Sequence, residues 1–124
     1  MSSKPIVVGT DGSEQALFAV EWAAMEAIRR RLPLRIVAVP VMPSRMHEYK
    51  SSPATVAHYL REYARQGLDA ASRRVRELTH DHAVETELRN GAPAVALLEA
   101  AADASLLVVG PTAAARWGRW CSAR

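Results

Sequence analysis

Pro5-Ile6-Val7-Val8-Gly9-Thr10-Asp11-Gly12-Ser13 is the stretch that decides the fold of this 124-residue chain. Its apolar, β-branched run stops at Gly9, and the turn-forming residues Thr10-Asp11-Gly12-Ser13 follow. A short all-apolar run closed in this way is the signature of a strand buried on both faces. Beyond it, Leu17, Val20, Ala24, Ala27 and Ile28 recur every three to four residues, which marks one face of a helix over 14–31. Ser13 is the expected N-cap, and Glu14 sits where a helix start favours negative charge. Arg29-Arg30-Arg31 fall in the last turn, with Pro33 just beyond. Strand, tight turn and helix make the first half of a parallel βαβ unit and one edge of a ligand crevice.

The same alternation runs along the rest of the chain. Leu34 to Val41 reads as a second buried strand that ends near Pro40. Residues 42–53 are rich in Pro and Ser and read as a loop, with His47 a surface histidine. Ser52-Pro53 opens the longest helix, to about Thr79. Its expected buried stripe is Val56, Leu60, Tyr63, Ala64, Leu68, Ala71, Val75 and Leu78. Arg61, Arg65, Arg73, Arg74 and Arg76 lie on that helix too, but Glu62, Asp69 and Glu77 dilute them into a solvated face. Val84 to Leu88 alternates apolar and polar residues, as a more exposed strand does. Asn90-Gly91-Ala92-Pro93 turns into a third helix, whose inner face is expected to carry Val95, Leu98 and Ala102, widened by Ala94, Leu97 and Ala101. Residues 104–110 form a fourth strand, again closed by glycine. The order βαβαβαβ predicts a parallel sheet with right-handed crossovers and helices on both faces.

Bulk composition narrows the function classes. Hydrophobic residues make up 49% and charged residues 23%, as in ordinary globular domains. No apolar run approaches the ~20 residues that span a bilayer. Met1-Ser2-Ser3-Lys4 leads straight into the first strand without a hydrophobic signal segment, and Cys121 is the single cysteine, so a cytoplasmic location is expected. The net charge of +3 is carried by Arg116, Arg119 and Arg124 in a segment without acids. That distribution makes a nucleic-acid surface an unfavoured reading, because such surfaces spread Lys and Arg over one face. His80-Asp81-His82 has no third ligand nearby, so no metal site is expected there.

Three segments together carry a family resemblance. Val7-Val8-Gly9-Thr10-Asp11-Gly12-Ser13, then Gly91-Ala92-Pro93 with Leu97-Leu98-Glu99-Ala100-Ala101, and Asp103-Ala104-Ser105-Leu106-Leu107-Val108-Val109-Gly110 strongly resemble the universal stress protein (UspA-like) family over about residues 4–112. The resemblance implies a three-layer, doubly wound α/β fold of the adenine-nucleotide-hydrolase type, with its switch point between the first and fourth strands. Four strands are recognisable and the fifth is missing. In ATP-binding members an acid after the first strand, here Asp11, reaches the nucleotide, and backbone around Val39 lies beside adenine. A Gly-x-x-Gly-x9-Gly-Ser/Thr segment after the fourth strand cradles the phosphates. The physics of such a cradle is sound, since backbone amides at a glycine-rich turn feeding a helix form an anion nest. The implied binding residues are Gly9, Thr10, Asp11, Val39, Pro40, Gly91, Gly110 and Thr112. ATP is the implied cofactor, with Mg alongside it.

The cradle begins and then departs from the pattern. Gly110 matches its first glycine, but Ala113 stands at the second, and residues 113–124 resemble nothing in the family. The universal-stress-type domain is therefore expected over 1–112, with an atypical tail over 113–124. Reading each triplet one base earlier from the wobble base of Thr112, with G or C at most free wobble positions, restores Gly110-x-x-Gly and a Gly-Ser nine residues later. The expectation is a frameshift near codon 113, and a coding sequence whose other frame holds no helix and strand would refute it. ATP binding is then expected to be impaired, with nucleoside contacts surviving. The other reading is a stress-response interaction or dimerisation module that binds no nucleotide, its homodimer weakened by loss of the fifth strand. An enzyme is not expected: no Ser-Gly-Gly-x-Asp-Ser loop, His-x-x-His signature or Ser-His-acid set stands out.

Overall fold

The computed structural model describes residues 4–41, 48 and 50–110. His47, Thr112 and the tail over 113–124, with the expectations attached to them, lie outside the described residues. In chain order the elements are β1 (Ile6–Thr10), α1 (Glu14–Arg30), β2 (Leu34–Ala38), α2 (Pro53–Leu78), β3 (Val84–Leu88), α3 (Pro93–Ala100) and β4 (Leu106–Val109). The four strands form one all-parallel sheet in the order β3-β2-β1-β4. Strand order reverses at β1, whose neighbours are β2 and β4. In open α/β sheets a ligand crevice forms beyond the carboxyl ends of the strands at such a point.

The pleat of β1 divides the core. Ile6 and Val8 face α1 and α2, where they meet Leu34, Ile36, Val20, Ala23, Ala24, Leu68, Ala71 and Val75. Val7 points the other way and packs with Val37, Leu97 and Ala100 under α3. All five residues of β1 are buried, whereas β4 is half-buried along its length. Among the described residues β4 has one strand partner and forms a sheet edge. Polar tethers close the periphery. Arg35, in register with Val7 and Glu85, pairs with Glu85 at 3.4 Å and donates to the Ala100 carbonyl at 3.1 Å. Arg74 on α2 meets Glu21 on α1 at 3.0 Å, an exposed pair worth less than about 1 kcal/mol.

Local chemistry sets the helix ends. Ser13 Oγ accepts from the Ala16 amide at 3.1 Å, and Ser52 Oγ accepts from Thr55 at 3.2 Å. Both expected N-caps are present. α1 stops one residue earlier than its apolar spacing suggests, because Arg31 turns left-handed (φ 56°). The Leu32 amide then bonds Ala27 and the Arg31 amide bonds Ile28, the pattern of a Schellman cap.

Three expectations are corrected. β2 ends at Ala38 rather than near Pro40: the Ala38 carbonyl takes its last ladder bond from Arg89, and Pro40 has no N–H to continue one. On α2, Tyr63 and Leu78 are exposed and Leu60 is half-buried, not core. A helix of 26 residues runs about 39 Å, while five-residue strands run about 17 Å, so its ends overhang the sheet. On α3, Val95 and Leu98 face solvent, as does Ala102 beyond its end; Ala94 and Leu97 are buried as expected, and Ala96 and Ala100 join them.

Candidate functional site: the crevice beyond β1 and β2

The turn after β1 is held by its own side chains. Thr10 Oγ1 accepts from the Gly12 amide at 3.2 Å, and Asp11 Oδ1 accepts from the Ser13 amide at 2.9 Å. The second bond is an Asx turn, which fixes the carboxylate before the helix begins. Gly12 sits at φ +86°, a region that L side chains rarely adopt.

α2 presses directly on this turn. A Cβ built on Gly67 would stand 2.9 Å from the Gly12 Cα, and one on Gly12 would stand 3.3 Å from Tyr63 Cε1. The two glycines are thus the point where a helix backbone meets a turn backbone. Sequence reasoning assigned Gly67 no role and put Tyr63 in the core. A lone glycine inside a long helical pattern was the available signal, since it costs about 1 kcal/mol against alanine and needs a packing reason.

Two adjoining hollows open beside the turn. The narrow one, about 190 Å³, is lined by Thr10, Asp11, Val39, Pro40, Leu60 and Tyr63 among others. The wide one, about 630 Å³, is lined by Pro40, Val41, Ala57, Arg61, Asn90, Gly91, Ala92 and Pro93. Pro40 and Val41 belong to both, so the hollows form one two-lobed crevice. Sequence reasoning missed Arg61 and Asn90, whose side chains hydrogen-bond at 3.2 Å. Elsewhere, a separate polar hollow between α2 and β3 is lined by Asp69, Ser72, Arg73, Arg76 and Thr86.

The candidate residues fall into three groups. Thr10, Asp11, Val39 and Pro40 line the narrow lobe, and Gly91 joins Pro40 in the wide one. Gly9 and Gly110 line neither lobe. A Cβ on Gly9 would meet Leu97 Cδ1 at 2.9 Å, so this glycine makes room for α3. Gly110 is buried beside α1, with Gln15, Ala16 and Ala19 each 3.7 Å from where its Cβ would be. Thr112 is outside the described residues.

The donor set suits the nucleoside part of a nucleotide: a carboxylate and a buried hydroxyl on one wall, Val39, Pro40 and Tyr63 on the others. Asp11 is the one carboxylate lining the two lobes, and no group of three or more metal-ligating side chains occurs among the described residues. His82 is engaged with the Leu32 carbonyl, which ties the turn before β3 to the end of α1. Among the described residues no helix is long and apolar enough to cross a membrane.

Known proteins share this fold. The sequence profile described as the universal stress protein family matches residues 2–120. Universal stress protein Rv2624c of Mycobacterium tuberculosis H37Rv is 36% identical over 116 residues, covering 92% of this chain and 39% of that protein. The chain therefore spans about two fifths of the length of that curated relative. A crystal structure of a universal stress protein family member from Burkholderia pseudomallei superposes with a TM-score of 0.74 at 28% identity, over 91% of this chain and 85% of that one. The crystal structure of a universal stress protein in complex with cAMP gives a TM-score of 0.66 at 28% identity, over 88% of this chain and 77% of that one. Strand order, turn and motif spacing agree with a profile match over almost the whole sequence, and the chain belongs to the universal stress protein family.

Proposed function

We propose that the chain binds an adenine nucleotide in the two-lobed crevice and acts as a nucleotide-responsive binding module of the cytoplasm rather than as an enzyme. One observation carries this reading: Thr10, Asp11, Val39 and Pro40, distant in sequence, line a single hollow beyond the carboxyl ends of β1 and β2, beside the switch point. A related protein of the same fold has been crystallised with cAMP, which supports a nucleotide as the ligand class. Asp11 accepts from ribose hydroxyls, and the backbone at Val39 and Pro40 edges the base. ATP is the finer proposal. Its phosphates would be held by Gly110, Thr112 and the residues after them, with Mg on the phosphates. In the sequence Ala113 takes the place of the pattern's second glycine, and a Cβ there would hinder the close approach of backbone to phosphate, so ATP gains little over adenosine.

Isothermal titration of the full chain with adenosine, cAMP and ATP, with and without Mg, tests the proposal. Saturable binding to one site, lost in Asp11→Ala, is expected. No heat with any of the three ligands would overturn it. A second reading is favoured by the edge position that β4 takes among the described residues: self-association through that edge without nucleotide. It predicts a dimer by sedimentation whether or not nucleotide is present.

A further inference from the structure

We propose that α1 carries a homodimer interface, in which its exposed row Phe18, Trp22 and Met25 packs antiparallel, across a two-fold axis, on the same row of a second copy of this chain. The inference does not depend on the nucleotide reading of the crevice. α1 is apolar on two opposite sides. Its inner side meets the sheet through Ala19, Val20, Ala23, Ala24 and Ala27. Phe18, Trp22 and Met25 lie on the other side and are 72%, 53% and 57% exposed. Steps of four and three residues stack the three in one row, the spacing of a coiled-coil seam.

A helix on a protein surface ordinarily turns charged and polar residues to solvent. The exposed residues of α1 are polar only at its ends, Glu14 and Gln15 at the start and Arg29 and Arg30 at the finish. Every exposed position between them is apolar. The three side chains present about 400 Å² of apolar surface, a size at which contiguous patches mark interaction sites. That is half of the roughly 800 Å² that each partner gives to a standard interface. Aromatic residues and methionine are the types enriched at the centre of such interfaces, with charges at the rim.

Charge selects the partner and its direction. Glu14 lies four residues before Phe18, and Arg29 lies four residues after Met25. A second α1 laid antiparallel, with Phe18 against the partner's Met25, brings Glu14 opposite the partner's Arg29. The two-fold axis repeats both contacts. A parallel arrangement would set acid against acid and base against base. Arg29 can serve two carboxylates: Glu26 takes its Nε and Nη2 donors at 3.1 and 2.9 Å, a guanidinium carries five N–H donors, and the side chain is 66% exposed. A lipid surface is a poorer match, because Glu14, Glu21 and Glu26 lie beside the row and would face anionic headgroups.

Sedimentation equilibrium of the full chain tests the interface, with far-UV circular dichroism to check that each variant is folded. Wild type is expected to dimerise with or without nucleotide, and Trp22→Glu to weaken the dimer about tenfold or more. Glu14→Lys and Arg29→Glu should each weaken it alone, because each sets like charges together twice. Mixed in equal amounts, those two variants should form a heterodimer about as tight as the wild-type dimer, since every charged contact is then an opposite pair again. Wild type that stays monomeric at millimolar concentration overturns the proposal. So does a dimer that Trp22→Glu leaves intact, which would move the contact to another surface such as the edge at β4. A mixture that fails to restore the dimer overturns the antiparallel pairing, and the proposal with it.

Discussion

Replacing Gly67 by alanine sets two effects of opposite sign against each other. Gly67 lies inside α2, where exchanging glycine for alanine normally gains about 1 kcal/mol of helix propensity. Here the new methyl would stand 2.9 Å from the Gly12 Cα and 3.5 Å from its amide nitrogen. Neither atom belongs to a side chain that can rotate away, so α2 or the turn must move. Overpacking of this kind costs about 1–3 kcal/mol. Gly12 is itself confined to φ +86°, which limits how the turn gives way. The net expectation is a loss of up to about 2 kcal/mol, or up to about 8 °C in Tm for a domain of this size. Because the displaced turn carries Asp11, nucleoside affinity should fall as well. Thermal and urea denaturation, with a propensity-neutral control at exposed Gln66, measure the first effect, and titration with adenosine measures the second. A Gly67→Ala protein more stable than wild type by the propensity gain, with unchanged affinity, would refute the Gly12–Gly67 contact.

Two further substitutions test the surrounding physics. Arg31 holds a left-handed conformation at the end of α1, which costs a non-glycine residue about 1 kcal/mol, so Arg31→Gly should raise stability by roughly 0.5–1 kcal/mol in urea unfolding. A destabilised variant would mean that the αL cap is absent. Glu26 accepts hydrogen bonds from Arg29 first and Arg30 second, which hold its carboxyl below the usual glutamate value. A lowered folded pKa gives stability that is fully present above the unfolded value and lost as pH falls through the folded one. The Tm gap between wild type and Glu26→Gln should therefore be constant near neutrality and close in acid; a gap that widens on acidification contradicts the pairing.

Much of the fold is legible in the chain because the local signals agree. The Ile-Val-Val and Leu-Leu-Val-Val runs, each closed by glycine, are adjacent parallel strands, and both serine caps sit at the helix starts they announce. α3 is legible only in part, because Pro93-Ala94-Val95-Ala96-Leu97-Leu98-Glu99-Ala100 is apolar nearly all round and hydropathy cannot say which side faces the sheet. Close approach decides it. The alanine side packs down, and the missing side chain of Gly9 receives Leu97, while the bulkier Val95 and Leu98 stay outside. The crevice was half legible. Residues of the β1 turn and the end of β2 were found from local chemistry and resemblance. Arg61 and Asn90, 29 residues apart, meet only once α2 is laid across the sheet. A charged residue on an amphipathic helix reads as solvated until its neighbour from another element is known.

The most direct measurement is a map of backbone amide shifts in a ¹⁵N-labelled chain titrated with adenosine. The largest saturable changes should fall on Thr10, Asp11, Val39, Val41 and Gly91, around the two lobes. Changes centred instead on Ser72, Arg73, Arg76 and Thr86, with the β1 turn unmoved, would place the ligand in the other hollow and contradict the account.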